Sequence, residues 1–241
     1  MAGAGNIPRP ARIIDDMSTT ATVGYSPTAT PTPVDSVAII GAGRVGTALA
    51  RGLVEAGYDV RLAGSGAADR VAMLAQFTAP GARALTAAEA VDGADLVILA
   101  VPLHKIDTVD PGLLAGRIVV DVANYWEPID GALPEFADAP LGTSHIVQRR
   151  FPAATIVKSL NHLGYHDVDT DRRPAGAEGR RAIAVASDDA RAADAVAGVI
   201  DRLGFDPVVL ESLAAGKALE GGGAVFGARL TRDQLEHAVA A

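Results

Sequence analysis

The hexapeptide Gly41-Ala42-Gly43-Arg44-Val45-Gly46 constrains this chain more than any other feature in it. The spacing G-x-G-x-x-G carries meaning only between a strand and a helix, and both neighbours are present. Ahead of it, Val37-Ala38-Ile39-Ile40 is an apolar run of strand length. Behind it, Val45, Leu49, Leu53 and Ala56 recur at helical spacing from Arg44, until Gly57 stops the helix. In that setting Gly41 makes the tight turn, Gly43 lets backbone approach a pyrophosphate, and Gly46 lets the helix pack closely on the strand. The helix that opens at Arg44 and Val45 turns free N–H groups and its positive dipole end toward the phosphates.

The rest of the chain extends the pattern. Strands are expected at Asp59–Ala63, briefly at Arg83–Leu85, and at Asp95–Val101, Arg117–Val122, Thr155–Leu160, Arg181–Ala186 and Pro207–Leu210. Helices are expected at Ala68–Phe77 and Asp188–Leu203, and a short one after Thr86, with Glu89 three residues on as in a capping box. A polar helix closes the chain. Strands alternating with helices predict an α/β fold: a Rossmann-type doubly wound parallel sheet with a small C-terminal α/β portion. The expected division is a dinucleotide-binding domain over 35–150 and a smaller domain over 151–241 that completes the substrate pocket. Residues 1–34, with Pro8, Pro10, Pro27, Pro31 and Pro33 among Ser, Thr, Ala and Gly, read as a disordered tail, with a short docking helix around Arg12–Met17 as the alternative.

Composition narrows the function. Hydrophobic residues make up 49% of the 241, but aromatics only 4%, so the core is built from Ala, Val, Leu and Ile. Few aromatics and a formal charge of −8 argue against a nucleic-acid surface. Without cysteine, disulfides, thiolate nucleophiles and Cys-based zinc sites are excluded, and a cytoplasmic setting is the expectation. No apolar run reaches about 18 residues, so no membrane span is expected. His162 and His166 stand four apart near Asp167 and Asp169, but Gly164 interrupts them, so the segment reads as loop and no metal site is expected. His162 is instead a candidate for the pocket wall.

The second strand ends Leu62-Ala63-Gly64-Ser65-Gly66, without the carboxylate that would bond a ribose 2′-hydroxyl. Ser65 can donate to a 2′-phosphate and Arg70, about one helical turn on, can reach it, which favours NADP over NAD; a solvated helix cation is the other reading of Arg70. Val101-Pro102 ends the strand beside the first, at the crevice where a nicotinamide belongs. There Pro102 either shapes the wall or merely stops the strand. Asn124 and Asn161 sit at strand ends, where binding groups collect, or else stabilise turns. Arg172, Arg173, Arg180 and Arg181 surround a flexible stretch that is either a solvated loop or a basic receptor for an acidic group.

Taken together, IIGAGRVGTALARGL (39–53), ILAVP (98–102), VVDVAN (119–124), FPAATIVKSLN (151–161), LGFDPVVLESL (203–213) and LEGGGAVFG (219–227) resemble the NADPH-dependent coenzyme F-420 reductase family. The resemblance implies direct hydride transfer between NADP and an 8-hydroxy-5-deazaflavin, coenzyme F-420, as co-substrate, with no acid, base or nucleophile at that step. It implies a deazaflavin stacked near Val101, Pro102, Asn161 and Leu163, and a homodimer. In that family Ser-Arg usually follows the second strand; here Ser65 matches and Gly66 replaces the arginine. The competing expectations are an NAD(P)H-dependent reductase of another small acceptor (an imine, a carbonyl or ferric iron) and a non-catalytic dinucleotide-binding protein.

Overall fold

The computed structural model describes residues 1, 33–66 and 68–240. Residues 2–32 of the expected tail, Arg12–Met17 among them, lie outside the described residues.

Eight strands form one sheet: β1 (Ser36–Ile40), β2 (Asp59–Ala63), β3 (Arg83–Ala84), β4 (Leu96–Leu99), β5 (Ile118–Asp121), β6 (Thr155–Ser159), β7 (Ala182–Ala186) and β8 (Asp206–Leu210). Their order is β3-β2-β1-β4-β5-β6-β7-β8. From β3 to β6 every pairing is parallel, with Ile39 opposite Leu62 on one side and Ile98 on the other. β7 then runs antiparallel to β6 over two residue pairs, Lys158 with Ala186 and Ser159 with Val185, and β8 runs parallel to β7. This is the doubly wound order predicted, with the C-terminal strands added to the same sheet. The expected boundary at 150/151 falls inside that continuous sheet, between β5 and β6.

The helices are α1 (Arg44–Glu55), α2 (Ala68–Thr78), α3 (Ala87–Val91), α4 (Glu127–Asp130), α5 (Pro134–Ala137), α6 (Thr143–Arg150), α7 (Asp167–Thr170), α8 (Ala190–Leu203) and α9 (Arg232–Ala240). Strand side chains alternate between the two faces of the sheet, so adjacent residues enter different cores. Val37 and Ile39 pack with Leu49 and Leu53 of α1 and with Val196, Ile200 and Leu203 of α8. Ala38 and Ile40 point the other way, toward Val91 of α3 and Ile146 and Val147 of α6. A third cluster gathers Ala182 and Ala184 of β7, Val208 of β8 and Leu235 of α9.

Local chemistry sets the helix ends. Thr86 and Glu89 form the predicted capping box at α3. Asp189 accepts from Ala192 N–H at the start of α8, and Gly204 ends it in the left-handed region at φ 108°. β4 is shorter at both ends than the expected Asp95–Val101. Asp95 turns its carboxylate to the N–H groups of Asp35 and Ser36 and to the Ser36 hydroxyl.

Candidate functional site

A cleft of about 1150 Å³ opens at the carboxyl ends of β1, β2, β4 and β5. The first loop builds its floor. A Cβ on Gly41, whose φ is +119°, would stand 2.2 Å from the Ala100 carbonyl oxygen. Gly41 is therefore fixed by the close passage of the chain leaving β4. A Cβ on Gly46 would stand 1.8 Å from the Gly41 oxygen, so this glycine lets α1 approach the loop from beneath. Gly43 has nothing within 4 Å of the same position. Its freedom serves the open space above it, where a phosphate would lie.

Gly43 is also the N-cap of α1, with no side-chain cap and no acidic residue in the first turn. The dipole end and its N–H groups are left for an anion. Gly41, Gly43, Arg44 and Val45 all line the cleft, as do Ser65 and Arg70 at its other flank. Ser65 and Arg70 are exposed, and so placed to meet a charged group from solvent. Val101, Pro102 and Asn124 form the far wall. These residues fit a dinucleotide: a cradle that a Cβ would fill, an uncapped helix end, and cations where a carboxylate would repel a 2′-phosphate.

Two predicted residues stand behind the wall instead of in it. Leu163 is buried in the core that α1 and α8 cover. Asn161 is buried; its amide donates to the Asn124 side-chain oxygen at 2.9 Å and to the Leu219 carbonyl at 2.8 Å. Asn124 returns a bond to the Asn161 carbonyl at 2.7 Å. Asn161 thus fixes the side chain of Asn124, which does line the cleft. Leu160, just before it, holds φ at +61°, a left-handed turn rare for a leucine, which carries the chain from β6 toward this pairing.

Below Asn124 lies a buried polar cluster. Lys158, fully buried, meets Asp121 at 3.3 Å and also donates to the Ala123 carbonyl. Asp121 accepts from Ser144 at 2.6 Å and from Ala123 N–H at 2.9 Å. Lys158, near the end of β6, thus anchors the backbone that carries Asn124.

His162 is a correction as well. It is buried away from the cleft, and its Nε2 accepts from Ala184 N–H at 3.2 Å. Burial, and then the positive charges of Arg181 and Lys158, push its pKa down to about 3. The reading of Arg180 and Arg181 as part of a basic receptor is overturned too. Both are buried, Arg180 against Asp201 and Asp206 at 2.7 and 2.8 Å, Arg181 against Asp171 and Asp167 at 2.7 and 3.0 Å. Arg172 pairs with Glu55.

Sequence reasoning missed the segment after β5. Trp126, Ile129 and Asp130 line the cleft, with Lys105 from the turn after β4 and Tyr165 from the loop after β6. The Arg44 guanidinium stands 6.0 Å from the Tyr165 ring centre. Asp130 is buried and accepts from Trp126 N–H at 2.9 Å, His104 N–H at 3.2 Å and His104 Nδ1 at 2.9 Å. Burial pushes its carboxyl up, but these bonds together outweigh that and hold it below the ordinary value. The signal available was the chain's single tryptophan, four residues beyond the expected strand end at Val122.

The fold and this cleft define the class, a Rossmann-type dinucleotide-binding protein, and the family match and solved relatives support an NAD(P)-dependent oxidoreductase. Residues 36–125 match the model of the family described as NADP oxidoreductase, coenzyme F420-dependent. A hypothetical protein of Sinorhizobium meliloti, SMa0349, is 28% identical with a TM-score of 0.69, over 81% of this chain and 95% of that one. A candidate F420-dependent NADP-reductase of Arthrobacter sp. FB24 is 26% identical with a TM-score of 0.60, over 77% and 88%. Metalloreductase STEAP3 of Rattus norvegicus is 28% identical over 79% of this chain, which spans 36% of the length of that relative. No helix among the described residues is long and apolar enough to cross a membrane.

Proposed function

We propose that this chain transfers a hydride between NADP(H) and the deazaflavin coenzyme F-420. One observation carries the reading: a single cleft runs from the phosphate cradle at Gly43 past Val101 and Pro102 to the Asn124 wall, at a volume beyond the roughly 300–1,000 Å³ usual for a small-molecule site. That leaves room for a second ring beside a nicotinamide. The family description and the name of the Arthrobacter relative agree with it.

When bound, the dinucleotide supplies the hydride, and a proton from solvent completes reduction of the acceptor. The residues of the chain position and exclude. Gly43 and the start of α1 take the pyrophosphate, while Ser65 and Arg70 take the 2′-phosphate in place of the missing arginine at Gly66. Val101 and Pro102 give an apolar wall that shuts water from the transfer site. Asn124, held by Asn161, offers a fixed polar edge. Such a site works by proximity and orientation. The expectation of a cytoplasmic homodimer belongs to the same reading, and sedimentation of the purified chain tests the dimer.

The test is bleaching of the deazaflavin absorbance by purified protein with NADPH and then NADH. Fast bleaching with NADPH is expected. Arg70→Ala should cut the preference for NADPH over NADH by about tenfold or more, the loss of one charge-assisted contact. NADPH binding without bleaching would remove coenzyme F-420 as the acceptor and turn attention to others, a metal among them.

A further inference from the structure

Trp126 and Ile129 are large apolar side chains with 61% and 66% of their surface exposed, and both line the cleft. The backbone that carries them is clamped twice. Tyr125 donates its hydroxyl proton to the Gly131 carbonyl at 3.0 Å and accepts from Leu133 N–H at 3.3 Å. The buried Asp130 carboxylate gathers Trp126 N–H from its own segment and two donors of His104 from the turn after β4. The lips after β4 and β5 are thereby tied to each other. A rigid backbone holding two apolar side chains open to solvent within a ligand cleft is a preorganised surface without its partner.

We infer that Trp126 and Ile129 form the acceptor platform, a stacking surface for a flat, conjugated ring of the flavin or deazaflavin class, held in place by the Asp130–His104 clasp. The position follows from the winding. The nicotinamide belongs in the crevice over β1 and β4, and Trp126 enters from the end of β5, one strand further along. Chemistry gives the ring class: an indole face and a branched aliphatic group favour a planar π-system, and no cationic side chain lies in the segment Tyr125–Gly131 to select an anion instead. Asp130 and His104 are positioning residues. The inference rests on the reading of the cleft as a two-ring site, but it does not require the ring to be coenzyme F-420.

The test uses Trp126 as its own reporter, since it is the chain's single tryptophan. Full-length protein loaded with NADP+ is titrated with oxidised coenzyme F-420 and, separately, with riboflavin, following tryptophan fluorescence lifetime. Saturable quenching by at least one ring is expected, weakened in Ile129→Asp. In turnover, Trp126→Ala should raise KM for the ring about tenfold, with KM for NADPH unchanged. Quenching by riboflavin alone, without turnover of coenzyme F-420, would uphold the platform and defeat the proposed acceptor. Turnover of coenzyme F-420 with no quenching and parental kinetics in Trp126→Ala would defeat the platform and leave the acceptor standing. Absence of quenching by either ring, or full quenching by NADP+ alone, would overturn the platform.

Discussion

Gly41 and Gly43 stand two apart in one loop and are glycine for opposite reasons, so their alanine variants should part company. At Gly41 the methyl would collide with backbone, and the conformation is left-handed. Gly41→Ala should be destabilised by more than about 2 kcal/mol in urea unfolding. At Gly43 there is space in the folded chain. Gly43→Ala should keep its melting temperature and lose NADPH affinity by about tenfold or more, read by nucleotide fluorescence. His162 gives a second prediction. Its pKa of about 3 in the folded chain lies below the ordinary 6.5, so the unfolded chain binds more protons between those values. Stability is therefore independent of this group above about pH 6.5 and falls as pH drops below it, by at most about 1.4 kcal/mol per pH unit. Asp95, Asp130 and Asp167, held below the ordinary carboxylate value of 3.8, lose their contribution only at lower pH. His162→Gln, which keeps an acceptor for Ala184 N–H, should flatten the slope of unfolding free energy between pH 6.5 and about 4.5. The glycine spacing made the loop legible from sequence. The places of His162, Asn161 and Lys158 were not legible, because burial of a polar residue depends on partners distant in sequence.

At the scale of elements, the strands and the two long helices were readable. Apolar runs bounded by glycine or charge mark strands covered on both faces, and α1 and α8 repeat their apolar residues at helical spacing. The stretch between β5 and β6 was not readable. α4 and α5 are four residues each, too short to show a period. α6 is TSHIVQRR, whose polarity conceals the inward pair Ile146 and Val147. That stretch supplies Trp126, Ile129 and Asp130, so the missed part of the site and the missed elements are one segment. Its neighbour, the end of β5, depends on the buried Asp121–Lys158 pair. Lys158→Met should cost about 3–5 kcal/mol by denaturant unfolding, because it strands a buried carboxylate. The double variant Lys158→Met with Asp121→Leu should recover much of the loss, leaving a weaker hold on Ala123 and a higher KM for substrate.

Across the whole molecule, one sheet joins what the sequence suggested were two domains. The alternation of strands and helices continues through residue 150, and nothing in local sequence says whether the next strand joins the same sheet or starts another; the pairing of β6 with β5 decides it. Thermal unfolding should accordingly be a single calorimetric transition whose van't Hoff and measured enthalpies agree, where two domains would give two. The joint between β6 and β7 nonetheless rests on two residue pairs, reinforced by side chains such as Ser159, whose hydroxyl donates to the Ala184 carbonyl at 2.7 Å. Deuterium should find that joint. In most sheets the interior amides are the last to exchange and the edges the first. Here the amides of β1 and β4, held by four- and five-pair ladders, wait for global unfolding. Those along the β6–β7 line need only a slight parting of two plates, so solvent isotope would enter this sheet through an interior line as well as at its rim.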